Sequence, residues 1–374
     1  MLTCMRRMRR CRYLGPFRLY YIGEHLTDIK RYDAIDGLRA YAAIGIVAMH
    51  VMTNGNFSLP KPALQIIGSM GEFVYLFMAV SGFSMCCGYY DRVLSGNLSI
   101  VDFYKRRFSK VLPFFALLCL IDLAFNPSVG ALYEAFANMT LCFGLLPNPT
   151  MSVVGVGWFL GLVFVFYLVF PFYCFLLENK KRAWFSFAVA LIYNYLCSAY
   201  FFNDAHVISG FDFRTNFLFC SVYFLLGGLI YLYRGLIVEK CKIKPLAAVL
   251  VSVLLYIFMA FTRVTTSALL LICAILLIAA IIYGQRKGVL NNQFVSLVSS
   301  ISLEIYLSHM AIFRLVEKLF RPLVSSKTAV SYFVTLCIVI TGASLFAICY
   351  HKFFSAFINK KSVQSACDGR EGSH

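Results

Sequence analysis

The chain has few charged residues for its length. Of its 374 residues only 14% are charged, whereas 60% are hydrophobic. A soluble globular domain carries about a quarter charged residues, so this composition argues against a soluble enzyme or binding module. The apolar residues fall in long runs with few or no charges, such as residues 246–261 and 268–283. A helix needs about 20 apolar residues to cross about 30 Å of hydrocarbon, so these repeated runs predict a polytopic membrane protein.

Acidic residues are scarcer still. There are 17 Asp and Glu against 34 Lys and Arg, which gives a formal net charge of +17. The basic residues lie in short loops between apolar segments, which indicates membrane topology and contact with lipid, and no nucleic-acid partner is expected. Alternate loops are richer in Lys and Arg, with the loop of Lys318, Arg321 and Lys327 as the exception. The positive-inside rule then predicts an inner-membrane protein with both termini in the cytoplasm.

Several familiar site motifs are missing. The 14 cysteines form no C-x-x-C pair and no His/Cys cluster at metal spacing, so no metal is predicted and the cysteines are interpreted as small packed hydrophobes. There is no P-loop, no dinucleotide-binding glycine motif and no H-E-x-x-H. Ser81-Gly82 lacks the preceding glycine of a nucleophile elbow.

The apolar runs predict an all-α, polytopic membrane bundle of about ten transmembrane helices. The predicted spans are residues 34–53, 65–88, 111–125, 153–177, 183–202, 215–233, 246–262, 267–284, 294–315 and 329–350. Residues 130–147 are apolar but broken by Asn138, Gly144 and Pro147, which indicates a re-entrant or interfacial segment. Residues 1–31 are predicted to be a basic cytoplasmic arm, residues 32–352 the membrane domain, and residues 353–374 a cytoplasmic tail.

Polar residues inside spans are expensive in lipid, so each one is a candidate site residue. The first span contains Asp36, Arg39 and His50. Arg39 and His50 are eleven residues apart, so they share one helix face at a separation of about 16 Å. A histidine at that depth can act as a proton acceptor near neutral pH. The alternative is a histidine that caps a helix end or touches lipid headgroups.

Two further groups carry polar residues at span boundaries. Before the predicted third span, Arg107 and Lys110 are three residues apart, which suits a phosphorylated ligand or an ordinary positive-inside cluster. In the ninth span, Glu304 and His309 lie within two turns of each other. Glu304 is predicted either to orient a partner or to hold the bundle together.

Taken in order, these segments resemble the acyltransferase-3 family of membrane acyltransferases, which includes bacterial O-acetyltransferases of lipopolysaccharide, capsule and exopolysaccharide. The matching stretches are Ile35-Asp36-Gly37-Leu38-Arg39-Ala40 through His50, Ser81-Gly82-Phe83, the basic group Phe103 to Pro113, Trp158 with Phe166-Tyr167 and Pro171, and Ser302 to His309. Each stretch alone is weak, but five in family order across residues 31–315 are specific.

The resemblance implies acyl transfer from a cytoplasmic acyl-CoA, with acetyl-CoA the expected donor and no permanently bound cofactor, to a hydroxyl of a polysaccharide or lipid-linked sugar. Membrane lipid and other polysaccharide biosynthesis proteins are the further expected partners. The catalytic residues would be His50, as base or acyl carrier, and His309. Arg39, Arg107 and Lys110 would hold the donor phosphates. The expected substrate or structural residues are Asp36, Glu304, Tyr306 and Trp158, with Tyr306 also a candidate to stabilise the oxyanion.

Four positions depart from the family pattern. Lys110 replaces a usual Arg, Val163 a frequent Glu, Tyr75 an acidic residue and Ala311 a Pro. The carboxylate that could orient a histidine in other members is therefore missing from those positions, and Asp36, Glu72 and Glu304 are the remaining candidates.

Three rival functions stay open at the level of sequence. The first is an exporter of a polysaccharide or its precursor, which needs no acyl-CoA site. The second is an acyltransferase with a different donor, such as succinyl-CoA. The third is a non-catalytic member of a polysaccharide assembly complex.

Overall fold

The computed structural model describes residues 32–145, 151–203, 205–207, 212–262 and 265–371, with side chains as far as residue 353. Within these ranges the chain is helical, and its one β-bridge joins Gly288 to Asn291. The helices are α1 (Asp33–Gly55), α2 (Lys61–Leu94), α3 (Ile100–Phe125), α4 (Val129–Thr140), α5 (Gly155–Glu178), α6 (Lys180–Phe201), α7 (Phe217–Lys240), α8 (Pro245–Phe261), α9 (Thr266–Tyr283), α10 (Gln293–Ser300), α11 (Ser302–Leu319), α12 (Arg321–Ser325) and α13 (Ala329–Glu371).

All ten predicted apolar segments are helical. In the described residues, eight helices are long and apolar enough to cross a membrane, and α10 with α11 makes a ninth if the bent pair is one span. The remaining predicted segment is α8, a shorter apolar helix. The predicted polytopic helical bundle is confirmed.

Helix α1 lies at the centre of the bundle and packs against α2, α10 and α11. Most of its side chains are buried. Glycines allow this close approach, because a methyl group on Gly37 would overlap the carbonyl of Leu290 and one on Gly45 would overlap the ring of Phe73. Helix α1 therefore lies close to its neighbours at both glycines.

The third span begins eleven residues earlier than predicted. Helix α3 starts at Ile100, where the Ser99 hydroxyl accepts a hydrogen bond from the backbone N–H of Asp102. The basic group that includes Arg107 and Lys110 therefore lies inside the helix, and the prediction that it precedes the span is wrong. Long basic side chains tolerate this position because their stems pack on apolar surface while the charged ends reach polar surroundings.

The ninth predicted span is broken at Ile301. Helices α10 and α11 meet there at 73°. The break puts the first turn of α11, which contains Glu304, inside the protein. A carboxylate in that turn faces the unpaired N–H groups of the helix start, which favour negative charge.

Helix α2 is irregular in two places. A 3₁₀ turn at Met70–Glu72 interrupts its first half and a π-helical segment at Cys86–Tyr90 interrupts its second half. The first interruption contains Glu72, which reappears in the candidate site.

The segments outside the spans differ in how far they can be compared with prediction. Residues 130–140 of the predicted re-entrant piece lie in α4, a helix of 12 residues. Residues 353–371 of the predicted tail continue the backbone of α13 as helix. The predicted basic arm, residues 1–31, lies outside the described residues.

The contact between α2 and α7 depends on glycine. A methyl group on Gly227 of α7 would overlap the Ala79 carbonyl of α2, whereas one on Gly235 of the same helix meets nothing within 4 Å. We expect Gly227→Ala to lower the free energy of unfolding by about 1–3 kcal/mol through overpacking. Gly235→Ala should be neutral or stabilise by about 0.5–1 kcal/mol because alanine restricts the unfolded chain. Thermal unfolding of both variants in the same detergent measures the difference, and equal stability would contradict the predicted packing.

Candidate functional site

Two histidines meet in the middle of the bundle. The Nδ1 atom of His50 on α1 lies 2.7 Å from the Nε2 atom of His309 on α11, although 259 residues separate them. Their rings are parallel within 7°. His309 is fully buried, whereas His50 is partly exposed. The fold thus brings together the two residues that the sequence marks as candidate catalytic groups.

A backbone carbonyl sets the proton positions of this pair. The Nδ1 atom of His309 lies 2.6 Å from the carbonyl oxygen of Tyr306. That oxygen can only accept, so Nδ1 of His309 carries a proton, and in the neutral ring Nε2 is left as an acceptor. His50 must then donate from Nδ1, which leaves its own Nε2 with a free lone pair. Among the described residues no group hydrogen-bonds to that atom.

Within the described residues, no carboxylate orients this pair. Asp36 forms an ion pair with Arg39 at 3.1 Å, and Glu304 contacts His351 at 3.0 Å between Oε1 and Nε2. Neither acid hydrogen-bonds to His50 or His309 within the described part of the chain. The Tyr306 carbonyl takes the place of the orienting acid, and this could not have been inferred from side-chain identities.

Tyr306 is held by the start of α5 and the loop before it, which the sequence did not mark. Its hydroxyl donates to the carbonyl of Val156 at 2.9 Å, in the first turn of α5. The same loop is fixed by Asn138, whose amide donates to the Val153 carbonyl at 2.9 Å, and by Glu134, which accepts from the Val153 N–H at 2.9 Å. The sequence analysis marked Asn138 only as a break in an apolar stretch and did not single out Glu134.

The predicted donor-binding residues gather at one end of the bundle, which we call the basic end and define as Arg39, Arg107 and Lys110. The ammonium of Lys110 lies within electrostatic range of both arginines. Its side chain is exposed. Arg107 donates to the Tyr167 hydroxyl at 2.7 Å and lies over the Tyr167 ring at 4.6 Å. Its buried Nε has no hydrogen-bond partner among the described residues.

A second charged group lies beside the histidines and was not assigned from the sequence. Arg214, in the loop before α7, is clamped by Asp212 through bonds from Nε (3.0 Å) and Nη2 (2.8 Å). Burial alone would lower the pKa of Arg214, but Asp212 outweighs it and raises that pKa, so the guanidinium stays charged. Its charge reaches Glu72, His50 and Tyr306. In the sequence, Arg214 lies near acidic residues in a predicted outer loop. That loop was used only to assign the membrane topology.

Trp158 belongs to this second group rather than to the histidine pair itself. The Arg214 guanidinium lies over its ring at 5.7 Å. The neighbouring residue Phe159 packs edge-on against Tyr306, with ring centroids 5.6 Å apart. Trp158, a predicted substrate residue, therefore lies next to the ring that packs on Tyr306, and the Tyr306 carbonyl positions His309.

Sequence comparison identifies the family. The profile of a family described as an acyltransferase domain matches residues 32–349. The chain belongs to the acyltransferase-3 family. A curated relative, acyltransferase MdmB of Streptomyces mycarofaciens, is 28% identical over 173 residues. That alignment covers 42% of this chain and 43% of the relative, so the chain spans less than half the length of the relative it matches. No solved structure matches.

The tautomer of this family member's histidine pair can be measured. In protein labelled with ¹⁵N-histidine and reconstituted in nanodiscs, we expect His309 protonated at Nδ1 and His50 protonated at Nδ1 but bare at Nε2. The reason is that the Tyr306 carbonyl accepts only. Solid-state ¹⁵N spectra report each ring nitrogen, and the His50→Asn and His309→Asn variants assign the signals. A His50 ring protonated at Nε2 and bare at Nδ1 would contradict the assignment.

Proposed function

We propose that this protein is a membrane O-acyltransferase that moves an acyl group, expected to be acetyl, from acyl-CoA to a hydroxyl of a cell-surface polysaccharide or its lipid-linked precursor. The observation that carries the proposal is the pair of His50 and His309, in which one ring nitrogen is left free as a base on a partly exposed side chain. Membership in the acyltransferase-3 family supports the reaction class.

The donor enters from the basic end in this proposal. Arg39, Arg107 and Lys110 bind the nucleotide phosphates, because clustered cations suit phosphate oxygens. Arg107 retains a buried Nε–H that has no partner in the described chain. The separation of Arg39 from His50 along α1 is about 16 Å, and the pantetheine arm spans it. The basic end then faces the cytoplasm of the inner membrane, with both termini on the same side.

His50 acts on the acceptor through Nε2. This atom takes the proton of the acceptor hydroxyl while the oxygen bonds to the thioester carbonyl carbon. The carbon–sulfur bond breaks, and the departing CoA sulfur receives the proton. His309 accepts a hydrogen bond from Nδ1 of His50 and so stabilises the imidazolium that forms. A route in which His50 first carries the acyl group needs the same free nitrogen.

Removal of the base should stop the reaction without removing the protein. We expect His50→Ala to abolish transfer of radiolabelled acetyl from acetyl-CoA to the polysaccharide fraction of membranes. His309→Gln should lower the rate by about 10²–10⁴-fold, since it positions the base and does not touch the acceptor. Both variants should accumulate in the membrane.

The matched control is His206→Ala, in a loop where the ring packs on Tyr200 and Phe201. It should retain full transfer. Retained transfer in His50→Ala would remove this histidine from the mechanism.

The donor site makes a separate prediction. Arg107→Lys should raise the KM for acetyl-CoA by about tenfold or more with little change in kcat, because lysine lacks the planar fork that engages Tyr167 and phosphate together. Lys105→Gln, on an exposed part of the same helix, is the control and should leave KM unchanged.

Isothermal titration of acetyl-CoA into the purified protein separates the enzyme from the exporter and from a non-catalytic partner. Those two alternatives predict no binding and no effect of Arg107→Lys. Tighter binding of succinyl-CoA than of acetyl-CoA would instead indicate that succinyl-CoA is the donor.

A further inference from the structure

We propose that Arg214, Asp212 and Trp158 form the binding subsite for the acceptor, and that this subsite selects a neutral sugar ring over an anionic one. The inference rests on the proposed transferase function and adds the substrate class. None of it depends on the basic end.

The first support is the fixed geometry of the guanidinium. Asp212 accepts from Nε and Nη2 of Arg214, which locks the plane of the group. The remaining nitrogen, Nη1, makes no hydrogen bond with the described residues. The group lies over the Trp158 ring at 5.7 Å and is about one-third exposed. A locked donor beside an aromatic face is a good fit for a sugar, whose ring oxygens accept hydrogen bonds and whose C–H faces stack on indole.

The second support is proximity to the proposed base. A methyl group added to Gly71 would lie 3.2 Å from Cε of Met49 and 3.7 Å from Nη1 of Arg214. Met49 immediately precedes His50 on α1. The free donor of Arg214 is thus close to the residue next to the base on the helix, and Gly71 leaves the space between them. The charge of Arg214 also acts on His50, so a sugar ring that hydrogen-bonds to Nη1 is within range of the base.

The third support is the balance of charge. Arg214 faces Asp212 directly and Glu72 within electrostatic range, so its single positive charge is matched by carboxyl groups. Glu72 makes no hydrogen bond to the described residues, which leaves its oxygens to accept from hydroxyls. At the basic end, Arg39 is paired with Asp36, but Arg107 has the opposite character, because it contacts tyrosines and no carboxylate within the described chain. An anionic sugar gains nothing at Arg214, whereas a neutral ring satisfies donors and acceptors together.

The chain permits a direct binding test. It contains only two tryptophans, so Trp184→Phe leaves Trp158 as the sole indole reporter. Trp184 is a suitable position to change because it is exposed and far from the histidines in the sequence. The probes are the methyl α-glycosides of glucose, galactose and mannose and the corresponding uronates, titrated into the full-length Trp184→Phe protein in nanodiscs.

We expect at least one neutral glycoside to change Trp158 fluorescence saturably, with its uronate binding more weakly. In the same background Arg214→Gln should weaken that binding by about tenfold, as expected for a lost charged hydrogen bond. Arg214→Lys keeps the charge without the planar fork and carries the test if the glutamine variant does not accumulate. The matched control is Arg182→Gln, which removes an arginine paired with Glu178 at 2.9 Å and should leave binding unchanged.

The proposal is overturned if no neutral glycoside alters the fluorescence, if the uronates bind more tightly, or if the Arg214 variants bind like the parent. Release of CoA thiol from acetyl-CoA, measured on the same Trp184→Phe protein, separates this failure from failure of the proposed function. Thiol release that depends on His50, without any sugar binding, overturns the proposed acceptor subsite alone. Sugar binding that depends on Arg214, without thiol release, supports the subsite and overturns the acyl-CoA reaction.

Discussion

The hydrogen bond between His50 and His309 is the contact on which the site depends. It joins α1 to α11 in the interior of the bundle, where a polar group without a partner is expensive. The Tyr306 carbonyl satisfies the far side of the pair, and the Val156 carbonyl in turn holds the tyrosine. Backbone carbonyls therefore position His309 and Tyr306, and within the described chain no acidic residue orients the pair.

The two ends of the site differ in charge, and the difference follows from what each cation contacts. Arg107 is held by aromatic rings and a hydroxyl, which leave its charge unmatched in the described chain. Arg214 is held by a carboxylate. In the functions we propose, Arg107 binds phosphate and Arg214 binds hydroxyl groups. The two arginines differ because the fold gives them different neighbours.

Much of the architecture could be predicted from the sequence, because apolar length and loop charge are local properties. The ten apolar segments were predicted from these local properties. His50 and His309 were identified as candidate catalytic residues through the family resemblance. The start of α3 was missed because a run of basic residues was taken for a loop, although the helix was capped by Ser99 and continued through it. The break at Ile301 was missed because composition does not change across it.

The parts of the site that escaped prediction are those made by backbone or by distant loops. A carbonyl acceptor such as that of Tyr306 has no side-chain signature. Arg214 and Trp158 lie 56 residues apart, and no periodicity links them. Asn138 was visible only as an interruption of an apolar run and Glu134 was not singled out, since the partners of both are main-chain groups of a loop that follows.

The carbonyl behind His309 also limits where a proton can travel. In the function we propose, an acyltransferase that spans an energised membrane must not conduct hydrogen ions across it. Imidazoles in series are well suited to such conduction, because each ring can take up a proton on one nitrogen and release it from the other. Here the series ends after two rings, at a peptide oxygen that accepts a hydrogen bond but does not take up the proton. Within the described chain, the series of exchangeable sites on the His309 side ends at that oxygen, so a proton taken up by His50 is not relayed through His309 in the function we propose.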